Sequence, residues 1–414
     1  MRKVVVTGLG AVTPIGNNVK DMWENVKAGK CGIAPITHYE REGRKVTLAA
    51  EVKDFHPEEV IAKGELRKID SFTTFALVAA KEAMEDAGLD LAKEDAERCG
   101  IIFSSGIGGL MTIQEECERG LKKGFDRVSP HFIPKSIVNM AAGHIAITYG
   151  FHGMCSSAVT ACASGTNAIG DAFRQIRDGY HDIMLCGGSE ACITPLGIGG
   201  FTSMKALSTS TDPNRASIPF DKERNGFVMG EGAGVLILEE YEHALARGAK
   251  IYCEIVGYGT SCDAYHVTAP LEDGSMAAAA MSKAIKAAQI SPDQIQYINA
   301  HGTSTSLNDK GETKAIKLAF GPAAKHLMVS STKSMTGHLL GASGAVEGII
   351  TTLSVCHDLV PATINYQLPD EDCDLDIVPN EMRQSRIEYA MSNSLGFGGH
   401  NASILFKKYA KEFL

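Results

Sequence analysis

The segment TACASGTNAIGDAFRQIRDG at 160–179 and the segment TGHLLGASGAVEGIITTLSVCHD at 336–358 read as one piece of structure used twice: each opens on small residues and continues as a long helix. Outward from them, VVVTGLGAVTP at 4–14 is echoed by IYCEIVGYGTSCD at 251–263. Helix-like stretches follow from Phe72 to Ala87 and from Met276 to Gln289, and then strand-like runs, CGIIFSSG at 99–106 and IQYINAHGTS at 295–304. Strand alternating with helix is the α/β pattern. Two copies are too few for a solenoid, so the expected fold is two duplicated halves joined face to face, each a parallel or mixed sheet covered by helices. The division falls near residue 250, after LEEYEHALARGA, which reads as helical, giving halves 1–250 and 251–414. No Pro/Ser-rich linker separates them, which favours one compact body.

Within the first helix, Phe72, Phe75, Ala76, Ala79, Ala80 and Ala83 recur at three- and four-residue steps, Asp70 or Ser71 can cap the start, and Gly88 stands where a C′ glycine belongs. That face is expected in the core. With 44% hydrophobic and 21% charged residues the chain has globular proportions and can bury a large core. No window approaches the roughly 18 to 20 apolar residues that cross a bilayer, and the start reads as strand and turn, so a cytoplasmic protein with no membrane partner is expected. The 11 cysteines are scattered, odd in number and free of C-x-x-C pairs, which argues against disulfides and a zinc site. A net charge of −9 disfavours nucleic acid.

Gly8-x-Gly10 after a strand invites a dinucleotide-binding reading, but Thr13 holds the third glycine position and no second strand ends in an acid about 20 residues on. A strand entering a tight glycine turn is the better reading. The glycine clusters at 104–110 and 226–234 fit close backbone packing or a pocket wall, and neither is a P-loop.

Cys162 sits where an extended run meets small residues and then a helix. Free N–H groups and the helix dipole there favour a thiolate, and Ala161, Ala163, Ser164 and Gly165 leave room for a carbonyl to approach. The plainer reading is one more inert buried thiol. His301 ends a strand and opens a loop with Thr303, Ser304, Thr305 and Ser306, a cluster of hydroxyls suited to a polar ligand arm; Asp309 and Glu312 are spaced like a helix capping box. His338 precedes a helix start so rich in Gly, Ala and Ser that another backbone must pass close by, with Lys333 five residues earlier. A pseudo-twofold axis would bring the Cys162 and His338 helix starts together, where imidazoles can donate to an oxyanion or enolate. The loop NSLGFGGHN at 393–401 reads either as a glycine hairpin with one buried aromatic or as a backbone donor and aromatic gate beside a pocket.

Four motifs in this order, TACASG around Cys162, NAHGTST around His301, STKSMTGHLLGASG around His338 and NSLGFGGHN, resemble the β-ketoacyl-[acyl-carrier-protein] synthases over essentially the whole chain. The Cys-His-His set is similar to the elongating I/II types rather than type III, and the length and GFGG loop are most similar to the synthase II branch. The resemblance implies a thiolase-like fold in five layers, α-β-α-β-α, a homodimer, and acyl- and malonyl-loaded acyl carrier protein as partner. Phosphopantetheine belongs to that carrier, so the enzyme itself is expected to need no cofactor and no metal. The implied activity is decarboxylative Claisen condensation, elongating a fatty acyl chain by two carbons. Cys162 would be the nucleophile, with the N–H groups of Cys162 and Phe397 as oxyanion hole. His301 and His338 would hold the enolate, Lys333 and Glu347 would order the site, and Asp309 and Glu312 would support it. Thr303 and Thr305 would meet the pantetheine arm, and Ile107, Phe201, Phe397 and Gly398 the acyl substrate. Arg67, Lys68, Lys123, Arg127 and Lys205, with Lys122, are candidates to meet the acidic carrier.

Rivals are a coenzyme A thiolase, which needs a second cysteine that NSLGFGGHN lacks, and a polyketide ketosynthase, which shares all four motifs. A silent chain-length partner would lack the nucleophile.

Overall fold

The computed structural model describes residues 1–410; residues 411–414, the end of the expected second half, lie outside the described residues. Ten strands build one mixed sheet: β1 (Val4–Val12), β2 (Cys99–Ser104), β3 (Cys155–Ser156), β4 (Ile183–Glu190), β5 (Gly232–Glu240), β6 (Cys253–Cys262), β7 (Tyr297–Asn299), β8 (Met328–Ser330), β9 (Tyr389–Gly396) and β10 (His400–Lys408). Six helices form the layers on it: α1 (Ser71–Ala87), α2 (Met140–Tyr149), α3 (Ser164–Arg177), α4 (Ser275–Ala288), α5 (Ser306–Phe320) and α6 (Ser343–His357). Along the chain these elements run β-α-β-α-β-α-β-β twice.

The strand order is β3-β2-β4-β5-β1-β6-β10-β9-β7-β8, so the second half repeats the first in mirrored order. The senses repeat too. β2 pairs parallel with β3 and β4, while β4–β5 and β5–β1 are antiparallel. β7 pairs parallel with β8 and β9, while β9–β10 and β10–β6 are antiparallel. The halves are not joined by faces alone: β1 and β6 pair antiparallel over Val4–Val6 and Cys253–Ile255, which makes the sheet continuous at that corner.

Helices α1 and α2 cover one outer face, where Phe72, Ala76, Ala79, Ala83 and Ile145 meet Ile101, Phe103, Val235 and Ile237. Helices α4 and α5 cover the other, with Met281, Ala284 and Ile316 against Ile298, Met391 and Leu405. Between the two sheet halves lie α3 and α6, whose Ala168, Ile169, Val346 and Ile350 pack on Leu236, Leu238, Ile404 and Phe406. This is the expected five-layer arrangement.

Local chemistry explains the elements. Asp70 caps α1 by accepting from Phe72 N–H, and Gly88 ends it in the left-handed region at φ 61°. The Gly8-x-Gly10 pair serves packing: a Cβ at Gly10 would lie 1.9 Å from the Ala79 carbonyl oxygen of α1. Gly257 and Gly259 do the same on α4, where a Cβ at Gly259 would lie 2.0 Å from Ala280 O. One expectation needs correcting: Leu238, Glu239 and Glu240 belong to β5, and the helix there spans only Tyr241–Ala246, because Leu238 and Glu239 pair with both β1 and β4.

Candidate active site

The starts of α3 and α6 touch. A Cβ at Gly344 would sit 2.5 Å from Thr166 N, and one at Gly165 would sit 2.7 Å from Ala345 N, so only small residues permit the approach. The turn Ala161–Ala163 leads into α3 and carries Cys162; β3 ends well before it, so the corner is loop and 3-10 turn rather than strand and helix. Ala161 is held at φ 50°, left-handed for a residue with a Cβ, which is strained backbone beside the thiol.

Cys162, His301 and His338 line one cavity of about 330 Å³. The two imidazoles lie edge to face, centroids 5.3 Å apart. Leu340 N–H donates to His338 Nδ1 at 3.3 Å, and the Ser343 hydroxyl lies 2.9 Å from the same nitrogen. Nδ1 is therefore an acceptor and the neutral ring carries its proton on Nε2, the nitrogen left to face the cavity. Burial and then the Lys333 charge hold both histidines well below the usual range, with His338 adding to the effect on His301; each ring is neutral at physiological pH. Phe227 packs edge to face on His338 at 5.2 Å.

The thiol departs from expectation. Burial pushes Cys162 up to about 12, and Glu190 adds to this, while Lys333 and the N–H groups of Phe397 and Cys162 pull down. Desolvation of the thiolate outweighs the helix start in the resting state, so the thiol rests protonated.

Lys333 pairs with Glu347, both fully buried. Burial pushes Glu347 up to about 7 despite the pair. Glu347 Oε2, Ser392 Oγ and both side-chain polar atoms of Asn299 are buried without a hydrogen-bond partner. Asp309 and Glu312 do not form a capping box; α5 starts at Thr305 without a side-chain cap. Instead Glu312 accepts from His301 and Gly302 N–H, both at 2.8 Å, and Asp309 accepts from Phe220 N–H at 2.8 Å and lies 3.6 Å from Arg224 Nε. Glu312 thus holds the loop that carries His301, and Asp309 holds the turn at 220–224.

Thr303 and Thr305 line the cavity with their hydroxyls 2.8 Å apart. Phe397 turns the β9–β10 hairpin, followed by Gly398 and Gly399 at φ 87° and 78°, and lies 6.3 Å from Phe201 between ring centroids. Phe201 and Phe397 line the cavity; Gly398 and Ile107 do not. Ile107 packs instead in the apolar cluster of Cys162, Leu340, Ile193 and Ile198. Of the basic residues, Lys205 lines the cavity, whereas Arg67, Lys68, Lys122, Lys123 and Arg127 are exposed outside its lining and Lys68 pairs with Glu65. Sequence reasoning missed Phe227, Thr268, Pro270 and Asn308 in the lining. Phe227 alone carried a signal, lying in the glycine cluster read as a pocket wall. Among the described residues no helix is long and apolar enough to cross a membrane, and no cluster of metal-ligating side chains occurs.

Known proteins resemble this chain in sequence and fold. Residues 1–244 match the family model "Beta-ketoacyl synthase, N-terminal domain" and residues 252–367 the model "Beta-ketoacyl synthase, C-terminal domain". The chain is 51% identical over 409 residues, 99% of its length and 98% of the relative's, to 3-oxoacyl-[acyl-carrier-protein] synthase 2 of Synechocystis. It is 53% identical over 408 residues, 99% of both chains, to the protein of that name from Staphylococcus aureus strain COL. Among solved structures it resembles a type II polyketide ketosynthase in complex with its acyl-carrier protein (TM-score 0.92, 39% identity, 99% of this chain and 100% of that one). A beta-ketoacyl synthase from Burkholderia phymatum is also similar (TM-score 0.91, 33% identity, the same coverage).

Proposed function

Since the chain belongs to the beta-ketoacyl synthase family, we propose that it is a 3-oxoacyl-[acyl-carrier-protein] synthase that elongates fatty acyl chains by two carbons. The observation that carries this reading is one cavity in which a thiol, two backbone N–H groups and two neutral imidazoles converge.

Cys162 sulfur attacks the acyl thioester carbonyl, and the developing oxyanion is held by the N–H groups of Cys162 and Phe397. The carbon–sulfur bond to pantetheine breaks, and the proton lost by the Cys162 thiol leaves with the departing pantetheine thiol. Malonyl-carrier protein then enters, and its thioester carbonyl accepts hydrogen bonds from His301 and from His338 Nε2–H. The bond to the carboxylate breaks, carbon dioxide leaves, and the electron pair forms an enolate stabilised by those donors. The enolate carbon attacks the acyl-enzyme carbonyl, a carbon–carbon bond forms, and Cys162 departs as thiolate to be reprotonated. Neutral rings suit this sequence, since they donate without a net charge that would have to be desolvated. Lys333 and Glu347 set the charge of the site, Asp309 and Glu312 its backbone, and Thr303 and Thr305 bind the pantetheine arm. Phe201 and Phe397 border the acyl chain, with Ile107 in the apolar cluster beside Cys162.

The partner is acyl- and malonyl-loaded carrier protein, met by Lys205 at the cavity mouth and by Arg67, Lys68, Lys123 and Arg127 around it. The enzyme acts in the cytoplasm and needs no cofactor of its own. A homodimer is supported by the open edge strand β3 and by exposed Ile133, Ile137, Ile147, Met154 and Val159 in the segments flanking it. The division into halves 1–250 and 251–414 separates the nucleophile from the histidines. The test is product analysis with long-chain acyl-carrier protein and malonyl-carrier protein. Release of one carbon dioxide per 3-oxoacyl-carrier product supports the reading, and turnover of coenzyme A thioesters alone would refute it.

A further inference from the structure

One buried carboxylate takes no part in the condensation chemistry, and the role inferred for it rests on that chemistry. Glu190 ends β4 and is fully buried. Its Oε2 accepts N–H groups from Gly106 at 2.8 Å and Gly341 at 2.9 Å. Its Oε1 accepts the Ser105 hydroxyl at 2.8 Å and Ile107 N–H at 3.2 Å, with the Cys192 thiol at 3.4 Å. Each oxygen faces a backbone donor; burial pushes the Glu190 carboxyl up, and the Ser105, Gly341 and Gly106 donors draw it back.

These donors come from two segments in different halves. Residues 105–107 follow β2, and Gly341 belongs to the turn between His338 and α6. The segments meet backbone to backbone, since a Cβ at Gly341 would lie 2.2 Å from Gly106 N. Leu340, the residue before Gly341, is held at φ 48°, sparsely populated for a residue with a side chain. It is Leu340 N–H that donates to His338 Nδ1.

We infer that Glu190 is a positioning residue for His338: by anchoring Gly341 it keeps Leu340 left-handed, so that the ring presents Nε2–H to the cavity. An acceptor is needed at the Oε2 position. A Gln of the same shape can keep its oxygen at the Oε2 position and still hold both segments there, whereas a Met of the same shape accepts from neither.

The test separates the two half-reactions in the full-length enzyme. In Glu190→Met, malonyl-carrier protein decarboxylation should lose about 10- to 100-fold in kcat with little change in KM, while acyl transfer to Cys162 is retained. Added to His338→Ala, it should cost almost nothing more, because its effect runs through that ring. Glu190→Asp keeps the charge but is one methylene too short to reach Gly106 and Gly341, so it should show the same step-selective loss and serves if the Met variant folds poorly. Equal losses in both half-reactions, full additivity with His338→Ala, or no loss would overturn the inference. Absent acylation of the wild type would instead count against the condensation reading. In that event nitrogen NMR of the His338 ring still decides: Nδ1 unprotonated in the wild type and a tautomer mixture in Glu190→Met supports the role, and identical spectra refute it.

Discussion

Replacing Lys333 with Met leaves a side chain of similar length in a fully buried site and strands Glu347. Removing one partner of a buried ion pair ordinarily costs about 3–5 kcal/mol because a bare charge remains. Here the remaining carboxyl can escape by holding a proton. Burial already places Glu347 at about 7 with Lys333 beside it, and loss of the cation moves it higher. The sign comes from linkage: a carboxyl whose folded pKa is raised loses stability as pH rises from its unfolded value through its folded value. In the wild type that loss ends near pH 7; in Lys333→Met it continues. The stability gap between the two proteins should therefore be constant below pH 7 and widen above it by about 1.4 kcal/mol per pH unit, one proton's worth. Urea denaturation of both proteins at pH 6, 7 and 9 measures this, with about 2.7 kcal/mol more separation expected at pH 9 than at pH 7. A gap that does not change with pH would refute the assignment of Glu347 as a carboxyl balanced between burial and Lys333. The same variant should move the acid limb of malonyl decarboxylation to higher pH, because Lys333 is a cause of the low pKa of both histidines.

Alkylation of Cys162 by iodoacetamide, followed by peptide mapping to exclude the exposed Cys117, Cys155 and Cys262, should rise about tenfold per pH unit from pH 7 to 10; a plateau below pH 8 would show that the helix start outweighs burial. Gly344→Ala drives a methyl into Thr166 of the facing helix and should destabilise by about 1–3 kcal/mol in urea titration; a neutral result would mean that α3 and α6 can separate freely. Burial opposes the charging of His243, but bonds to Glu239 at 2.6 Å and Glu94 at 2.9 Å raise its pKa. Its contribution is full below the unfolded value of about 6.5 and fades as pH rises through the folded value, so His243→Gln should lower the melting temperature more at pH 6 than at pH 9.

The duplication was legible because each half repeats the same local cues. Small residues open α3 and α6, a glycine pair sits on β1 and on β6, and strand and helix alternate at the same spacing. The convergence of Cys162 with His338 followed from that symmetry, and the close approach at Gly165 and Gly344 is its physical cause. What composition and spacing did not carry was long-range. The pairing of β1 with β6 depends on three residues at a corner. The withdrawal of Asp309 from capping depends on the turn at Phe220 brought to it from elsewhere in the chain, and that of Glu312 on the preceding loop folding back over the helix. The direction of the Cys162 shift depends on desolvation, which no local pattern records. Ile107 and Glu190 lie within one cluster only because segments more than eighty residues apart meet at the α6 turn.

The most direct test of the central claim is intact-protein mass spectrometry after mixing with a long-chain acyl-carrier protein, beside Cys162→Ala. The account predicts a mass gain of one acyl group in the wild type, none in the variant, and discharge of that group by malonyl-carrier protein. An acyl adduct that persists in Cys162→Ala, or no adduct on the wild type with any carrier-bound chain, would contradict it.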